Sequence, residues 1–346
     1  MRVEPRLRVL LVEATTYEAI RPGETLAPGG RALLEALGCW ERFCQAGFLE
    51  SHGTAALWGS ADVHENEFLL SARGNAWHLD RSRFDALLAG RAAEAGVDLL
   101  RGTTFANAAR ESGTWRLALL TGRESRRVDA GFVIDATGRG ARFATRQGAR
   151  REIEDRLVGI SSIYRFPDME APPGNATLVE AAEGGWWYSA PLPGARLVVA
   201  WMSDADLVHT ARVRDPVGWA RHLAGAGPTA VRAVGGTLVG PPHIWPACTQ
   251  RLTPVHGEGW VATGDAARAW DPLSSAGILK ALKTGRLAGY VALDHCLGRL
   301  GGRDRYARFV QREHEDYWQA HAWFYGQEVR WRNAPFWARR RRPVRT

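Results

Sequence analysis

Residues 259–285 read GWVATGDAARAWDPLSSAGILKALKTG, and this segment is the strongest indication of the fold in the sequence. An apolar strand leads into Gly264 and Asp265, a loop broken by Pro272 follows, and a helix comes next. Glycine lets the backbone approach a bulky ligand, and an aspartate at the carboxyl end of a strand can accept hydrogen bonds from hydroxyl groups. The first N–H groups of the helix form its positive dipole end, which favours negative charge on the same ligand.

A flavin dinucleotide satisfies each of these features. Asp265 would accept hydrogen bonds from the ribityl hydroxyls. The helix start would point at the N1/C2=O edge of the isoalloxazine ring, where negative charge gathers when flavin is reduced. We expect Ser274 or Ser275 to cap this helix. The alternative is an ordinary strand-turn-helix connection in which the loop only caps the helix.

The composition is typical of a globular protein. Of the 346 residues, 45% are hydrophobic and 24% are charged, so the chain can bury a full core in one large or two interleaved domains. No apolar run reaches the length of a membrane span and the N-terminus lacks a signal-peptide pattern, so we expect a cytoplasmic protein. The four cysteines have no disulfide or metal-ligand spacing, and we expect no metal site.

The net charge of +8 rests almost entirely on arginine. Only Lys280 and Lys283 are lysines, which leaves 43 of the 45 basic residues as arginine. Such a ratio reflects genome composition more often than contact with an acidic partner, and the basic residues do not form a binding stripe. We therefore expect no nucleic-acid partner.

Fifteen tryptophans are a large number for this chain. Some must lie in the core, but the pair Trp186-Trp187 and a later group also suit an aromatic pocket or a partner surface. Core packing is the favoured interpretation. The later group comprises Trp318, Trp323, Trp331 and Trp337.

Residues 7–12, LRVLLV, form an apolar run that ends at Glu13. The run predicts a buried parallel strand, and in a dinucleotide-binding fold a carboxylate at this place accepts hydrogen bonds from the adenosine ribose. The strand, Gly-rich turn and helix that come first in such a fold are absent from the sequence. We expect a start site assigned roughly 25 to 30 residues too late, and the alternative is a chain that binds no dinucleotide.

The loop at residues 21–26, RPGETL, carries Glu24 and Thr25. Both side chains are placed to reach a flavin from this loop. The alternative is that they only precede the helix that the apolar spacing predicts at residues 32–43.

Residues 77–88, WHLDRSRFDALL, begin extended and continue as a helix with one apolar face. Arg81 at the helix start is placed to meet a phosphate or the flavin edge, or it is simply solvated. His78 is more often a structural histidine than a base. We keep His78 and Asp271 as candidate catalytic residues, although no partner spacing fixes either of them.

An apolar strand at residues 132–135 ends in a DATG turn, where Thr137 and Gly138 can pass close to a cofactor. After about residue 151 the composition changes to a run of strands that predicts an antiparallel sheet. The chain then returns to the first unit near Cys248. The strands are expected at residues 161–166, 176–180, 186–191 and 197–202.

Five motifs follow one another in the order of a known family. They are VEA at 12–14, RPGETL at 21–26, WHLDRSRFD at 77–85, DATG at 135–138 and GDAARAWDPLSSAGI at 264–278. On these motifs the sequence resembles FAD-dependent monooxygenases of the para-hydroxybenzoate hydroxylase fold, in the group of tryptophan halogenase-like proteins. It is especially similar to flavoproteins that modify a tryptophan of a partner oxidase during tryptophylquinone biogenesis.

The resemblance implies an α/β fold with two interleaved domains. An FAD-binding Rossmann-like domain of the glutathione reductase type, without its first strand, would comprise residues 1–150 and 246–346. A mostly antiparallel β-sheet substrate domain would comprise residues 151–245.

The resemblance also implies roles and chemistry. Reduced FAD would form a C4a-hydroperoxide with oxygen and hydroxylate an aromatic ring, either of a small metabolite or of a tryptophan in a partner protein. Electrons would come from NAD(P)H or, because DATG replaces the usual DG turn, from a separate flavin reductase. The cofactor contacts would be Glu13, Glu24, Thr25, Arg81, Thr137, Gly138, Gly264, Asp265, Pro272, Ser275, Ala276 and Gly277.

Three other functions remain open at this stage. A reductase of the geranylgeranyl reductase type would use the same fold without consuming oxygen. A flavin-dependent halogenase is disfavoured, because halogenases carry a lysine in the N-terminal half and a WxWxIP segment, for which residues 186–191 are only a degenerate match. The third alternative is a cofactor-free binding protein.

Overall fold

The computed structural model describes residues 4, 6–18, 21–68, 74–167 and 174–341. Strands and helices alternate through the first half of these residues, and long helices close the chain. In chain order the helices are α1 (Gly30–Leu37), α2 (Trp40–Gln45), α3 (Arg81–Glu94), α4 (Arg142–Arg146), α5 (Ala205–Ala211), α6 (Pro216–Leu223), α7 (Pro228–Ala233), α8 (Gly277–Cys296), α9 (Gly302–Gln327) and α10 (Pro335–Arg340).

The strands are mostly short, and the longest are antiparallel. They are β1 (Leu10–Val12), β2 (Thr25–Leu26), β3 (Leu49–Ser51), β4 (Gly53–Leu57), β5 (His64–Glu67), β6 (Ala76–His78), β7 (Asp98–Leu100), β8 (Thr103–Glu111), β9 (Thr114–Thr121), β10 (Glu124–Ala130), β11 (Val133–Asp135), β12 (Arg150–Ile153), β13 (Leu157–Arg165), β14 (Thr177–Ala182), β15 (Gly185–Leu192), β16 (Arg196–Asp204), β17 (Thr237–Pro246), β18 (Gln250–Thr253), β19 (His256–Gly257), β20 (Trp260–Ala262) and β21 (Arg268–Ala269).

Two pairs of parallel strands position the candidate site. Strand β1 pairs with β7, and β11 pairs with β20 in a register that sets Asp135 beside Ala262. Because the carboxyl ends of parallel strands meet at one edge, the turn after β11 and the turn after β20 lie side by side. Helix α8 packs against β11 and β20. Ala288 and Val291 on α8 share a hydrophobic core with Val261 on β20.

A seven-stranded sheet forms the second large unit, in the order β17-β13-β16-β15-β14-β4-β5. Strands β13 to β16 are the antiparallel run expected from the sequence. Two strands that precede residue 150, β4 and β5, extend the same sheet, and β4 pairs with β14 in parallel. The mixed α/β architecture therefore agrees with the expectation, with the large sheet drawing on both halves of the chain.

The tryptophan pair on β15 packs on both faces of this sheet. Successive side chains of a strand point to opposite faces, so Trp186 joins a core with Tyr325 and Trp337, whereas Trp187 joins a core with Trp219. Core packing, the favoured interpretation, is confirmed for both members of the pair and for Trp337. In the later group Trp323 differs, because 63% of its surface is exposed.

Candidate cofactor site

The DATG turn after β11 is held by Asp135, whose side chain is buried. Its Oδ1 accepts hydrogen bonds from the N–H and the hydroxyl of Thr137, at 2.9 and 2.6 Å. Its Oδ2 accepts one from the N–H of Ala144 on α4, at 2.8 Å. Gly138 follows with φ of +66°, a conformation that favours glycine, and a Cβ there would meet no atom within 4 Å.

The turn after β20 lies directly beside it. The N–H of Thr263 donates to the carbonyl of Asp135 at 2.9 Å, which ties the two turns together. Gly264 has φ of +59°, and its N–H donates to the hydroxyl of Thr284 on α8 at 3.0 Å. Its conformation, rather than a steric clash, accounts for the glycine, because a Cβ would make only ordinary contacts with Ala281.

Asp265 projects from this turn beside two cations. Its Oδ1 accepts a hydrogen bond from Nζ of Lys280 at 2.8 Å, and its Oδ2 lies 3.9 Å from Nε of Arg139. Burial alone would raise the pKa of Asp265, but the charges of Lys280 and Arg139 lower it below its ordinary value. The carboxylate is therefore ionised at neutral pH, and 41% of its side-chain surface is open to a ligand.

The start of helix α8 differs from the expectation. We expected Ser274 or Ser275 to cap the helix, but Ala276 is the N-cap residue and makes no side-chain capping bond. The hydroxyl of Ser274 donates instead to the carbonyl of Asp271 at 2.8 Å, and Ser275 adopts a left-handed conformation with φ of +48°. The first N–H groups of α8 are consequently left without a side-chain acceptor, which makes them available to a ligand.

A cleft of about 610 Å³ opens at this helix start, within the range of small-molecule sites. It combines backbone from the loop before α8, the loop after β2 and the segment around β5 with two lysines of α8. The lining residues are Ala27, Pro28, Asn66, Glu67, Phe68, Trp270, Ser274, Ser275, Ala276, Leu279, Lys280, Lys283 and Glu313.

The residues present at this site fit a flavin dinucleotide. A Cβ at Gly277 would meet no atom within 4 Å, as at Gly138, so a ligand can approach both backbones closely. The indole N–H of Trp270 is buried and finds no hydrogen-bond acceptor among the described residues. Together with Asp265 and the free N–H groups of α8, these features supply the close backbone approach, hydroxyl acceptor and positive end that the cofactor needs.

The two residues expected near the adenosine half and the flavin edge belong to one ion-pair network. Oε1 of Glu13 accepts hydrogen bonds from Thr15 and from Nη2 of Arg21, the latter at 2.8 Å. Arg21 also pairs with Asp85 at 2.8 Å, and Arg81 pairs with Asp85 at 3.2 Å. The network spans β1 and α3, and the charge of Arg81 contributes to the lowered pKa of Asp265.

Thr25 and His78 lie in a buried polar cluster between β2, β6 and the large sheet. Nε2 of His78 lies 3.0 Å from the carbonyl oxygen of Asn175, so it carries the proton and donates, which leaves Nδ1 as an acceptor for Thr25 at 3.4 Å. Thr25 is also 2.8 Å from the hydroxyl of Tyr188. Burial lowers the pKa of His78 to about 4, so His78 is neutral at physiological pH.

Glu24 precedes this cluster, and burial raises the pKa of its carboxyl above the ordinary value. Its carbonyl accepts a hydrogen bond from the N–H of Leu79 at 2.6 Å, which joins the loop to the connection between β6 and α3. The residues that line the cleft include Ala27 and Pro28 but neither Glu24 nor Thr25.

Asp271 is fully buried below the loop that leads into α8. Its Oδ1 accepts from the N–H of Leu273 at 2.8 Å, and its Oδ2 accepts from the hydroxyl of Tyr325 at 2.7 Å and lies 3.4 Å from His321. These partners hold the turn at Pro272. Neither Asp271 nor His78 is among the residues that line the cleft.

Sequence reasoning missed Lys280, Arg139 and Tyr188 as residues of the site. Lys280 is 15 residues from Asp265, and no spacing rule links the two. The sequence did contain one indication of Lys280, which is that lysine is rare in this chain. The chain has only two lysines, and both line the cleft.

In the described part of the chain no helix is long and apolar enough to span a bilayer. The same residues contain no group of three or more histidine, cysteine or acidic side chains arranged for a metal ion.

Comparison with known proteins identifies one matching family and several similar proteins. The model of the tryptophan halogenase family matches residues 50–345. The putative FAD-dependent oxidoreductase LodB of Marinomonas mediterranea is 27% identical over 341 residues, which cover 96% of this chain and 90% of LodB.

Two solved structures share the fold at lower identity. The flavin-dependent halogenase CmlS superimposes with a TM-score of 0.86 at 23% identity, and the match covers 99% of this chain and 64% of CmlS. This chain thus matches less than two thirds of CmlS. The peptidyl tryptophan dihydroxylase QhpG, essential for tryptophylquinone cofactor biogenesis, has a TM-score of 0.74 at 22% identity, covering 97% of this chain and 73% of QhpG. These likenesses confirm the expected FAD-binding α/β fold class.

Proposed function

Because the chain belongs to the tryptophan halogenase family, whose members are FAD-dependent enzymes, we propose that it is a monooxygenase that hydroxylates an electron-rich aromatic ring. The substrate is either a small aromatic metabolite or a tryptophan side chain of a partner protein. One observation carries the proposal: the DATG turn is hydrogen-bonded to the turn at Asp265, and Asp265 pairs with Lys280, which lines the cleft at the uncapped start of α8.

The cofactor is held by backbone and by a few charged side chains. Asp265 would accept hydrogen bonds from the ribityl chain, and residues 272–277 would border the flavin ring with the free N–H groups of α8. Thr137 and Gly138 would contact the dinucleotide, Glu13 would bind its adenosine ribose, and Arg81 would contact a phosphate or the edge of the flavin. Glu24 and Thr25 remain proposed contacts from the loop after Arg21.

Bound FAD supplies the activation of oxygen, which no side chain of the protein can perform. The chain itself binds the cofactor, excludes water and orients the aromatic ring. The DATG turn favours delivery of reduced flavin by a separate reductase, with direct reduction by NAD(P)H as the other source.

A buried polar cluster lies between strands β2 and β6 and the large sheet. Tyr188, Thr25 and His78 contribute hydroxyl groups and a neutral imidazole to it. His78 and Asp271 remain the proposed acid/base or substrate contacts. QhpG, a peptidyl tryptophan dihydroxylase, is the similar protein that motivates a partner-protein tryptophan as the substrate.

Halogenation is the second candidate, because the family match and the likeness to CmlS both favour it. The positions of the lysines in this chain disfavour halogenation. Halogenases carry an active-site lysine in the N-terminal half, whereas the two lysines of this chain are Lys280 and Lys283 in α8.

A single reaction mixture separates these functions. The purified protein is supplied with FAD, a flavin reductase, NADH, ¹⁸O₂ and an aromatic substrate, either N-acetyltryptophanamide or phenol. The reaction is run with and without bromide, and the products are identified by mass spectrometry. Hydroxylation predicts incorporation of ¹⁸O that does not depend on bromide. A product that contains bromine, formed only when bromide is present, would replace the monooxygenase with a halogenase. A product that has gained two hydrogen atoms and contains no ¹⁸O would support the reductase alternative.

A further inference from the structure

Lys280 is an unusual residue for this chain. Arginine supplies 43 of the 45 basic side chains, yet the fourth residue of α8 is a lysine, which lines the cleft beside Trp270. Only 2% of its side-chain surface is exposed. A buried charge in a protein normally requires specific partners, and those partners indicate what Lys280 does.

Three contacts surround the ammonium group. Nζ donates to Oδ1 of Asp265 at 2.8 Å and to the carbonyl oxygen of Arg268, and it lies 4.8 Å from the centre of the Trp270 ring. A compact ammonium with three rotatable donors can satisfy such divergent partners, whereas a planar guanidinium cannot. This geometry explains why lysine, rather than arginine, occupies the position.

The ion pair fixes the orientation of the Asp265 carboxylate. Lys280 holds Oδ1, and Oδ2 lies at 3.9 Å from Arg139, too far for a hydrogen bond. Oδ2 therefore keeps its acceptor capacity for the hydroxyl group of a ligand beside Lys280. Without Lys280 the half-exposed carboxylate would be free to rotate.

The same ammonium adds positive charge to the wall of the cleft. Lys280 and Arg139 together face one carboxylate, and the uncapped start of α8 adds a partial positive charge. The other cationic lining residue, Lys283, is half-exposed and lies 3.7 Å from Glu313. Glu67 is exposed at the cleft, where water screens its charge.

We propose that Lys280 is a positioning residue that orients Asp265 for the ribityl hydroxyls and makes the cleft bind the anionic, reduced form of flavin more tightly than the oxidised form. The inference rests on the proposed function and goes beyond it. It assigns Lys280 two separable tasks, which are the orientation of a carboxylate through a hydrogen bond and the stabilisation of negative charge through its own charge.

Two substitutions separate these tasks. Lys280→Met removes both the donor and the charge while keeping an unbranched apolar stem, and Lys280→Gln keeps an N–H donor without the charge. Arg286→Met is the matched control, because it removes a charge six residues later on the same helix at an exposed side chain that does not line the cleft. Circular dichroism checks that each variant is folded.

The measurements are the dissociation constants of oxidised and reduced FAD and the midpoint potential of the bound flavin. We expect Lys280→Gln to bind oxidised FAD almost as the parent does and reduced FAD roughly tenfold more weakly, which for a two-electron couple equals a potential about 30 mV more negative. Lys280→Met should lose affinity for both forms, with the larger loss for the reduced form. Arg286→Met should match the parent.

The two failures are distinguishable. A parent protein that binds no flavin would overturn the proposed function and this assignment with it. A parent that binds flavin, together with folded Lys280 variants that leave the midpoint potential unchanged, would overturn the assignment of Lys280 alone.

Discussion

At the scale of single residues, the site depends on a carboxylate whose surroundings keep it charged and oriented. Asp265 is half-exposed, and Lys280 and Arg139 lower its pKa. The carboxylate can therefore accept hydrogen bonds from hydroxyl groups at any pH near neutrality.

Replacing Asp265 tests its proposed role in FAD binding. A hydrogen bond to a charged group contributes roughly 1.5 to 3 kcal/mol, so Asp265→Ala should weaken FAD binding by about tenfold to a hundredfold. Asp265→Asn, which keeps an acceptor oxygen, should lose less. Titration followed by flavin fluorescence measures both, with the exposed Asp129→Ala on β10 as the control. Flavin occupancy that is unchanged in Asp265→Ala would remove this residue from the site.

The buried imidazole of His78 makes a separate prediction about stability and pH. Burial lowers its pKa to about 4 in the folded protein, against about 6.5 in an unfolded chain. The unfolded state therefore binds more protons between these values, and the contribution of His78 to stability falls as the pH drops from 6.5 towards 4.

We expect the parent protein to lose roughly 1 to 2 kcal/mol of unfolding free energy relative to His78→Gln between pH 7 and pH 5. The variant lacks the titrating group, so the difference between the two proteins isolates His78 from the other histidines. Urea denaturation at both pH values measures it. A difference between parent and variant that stays constant with pH would show that the imidazole titrates normally.

At the scale of elements, the start of α8 combines an uncapped helix end with open space at Gly277. Glycine is a poor helix residue, so its presence in the first turn calls for a reason other than helix stability. Close approach of a ligand to the backbone is such a reason.

Substituting Gly277 by alanine should separate stability from binding. Gly277→Ala is expected to leave the unfolding free energy unchanged or to raise it by up to about 1 kcal/mol, because alanine favours helix. It should weaken FAD binding by about tenfold or more, because the new methyl group occupies the ligand's space. Gly289→Ala, at another open position of α8, should give the gain in stability without the loss of binding. Equal flavin affinity in both variants would contradict the assignment of this helix start.

Strands with an apolar pattern were predictable, and those at sheet edges were not. Strands β13 to β16 are long apolar runs, and each expected strand overlaps one of them, although the first ends one residue later and the second begins one residue earlier than observed. Strand β17 was missed because it contains Pro241 and Pro242, which cannot donate to a sheet; the structure accommodates it as an edge strand. Strand β5 was missed because HENE has no apolar alternation, and it forms the opposite edge.

At the scale of the whole molecule, the site exists because distant segments meet. The turns at Asp135 and Asp265 are 130 residues apart, and their proximity follows from the parallel pairing of β11 with β20. The sequence supported this meeting only through the rule that carboxyl ends of parallel strands share an edge. Contacts such as Lys280 to Asp265, or β4 to β14, depend on three-dimensional packing that no local pattern encodes.

The central claim is that these converging turns bind FAD, and a direct titration tests it. Purified protein is titrated with oxidised FAD and followed by the flavin absorbance near 450 nm and by fluorescence, with Asp265→Ala measured in parallel. The account predicts saturable binding at one site per chain that the substitution weakens by about tenfold or more. A protein that leaves the flavin spectrum and fluorescence unchanged at every concentration would contradict it.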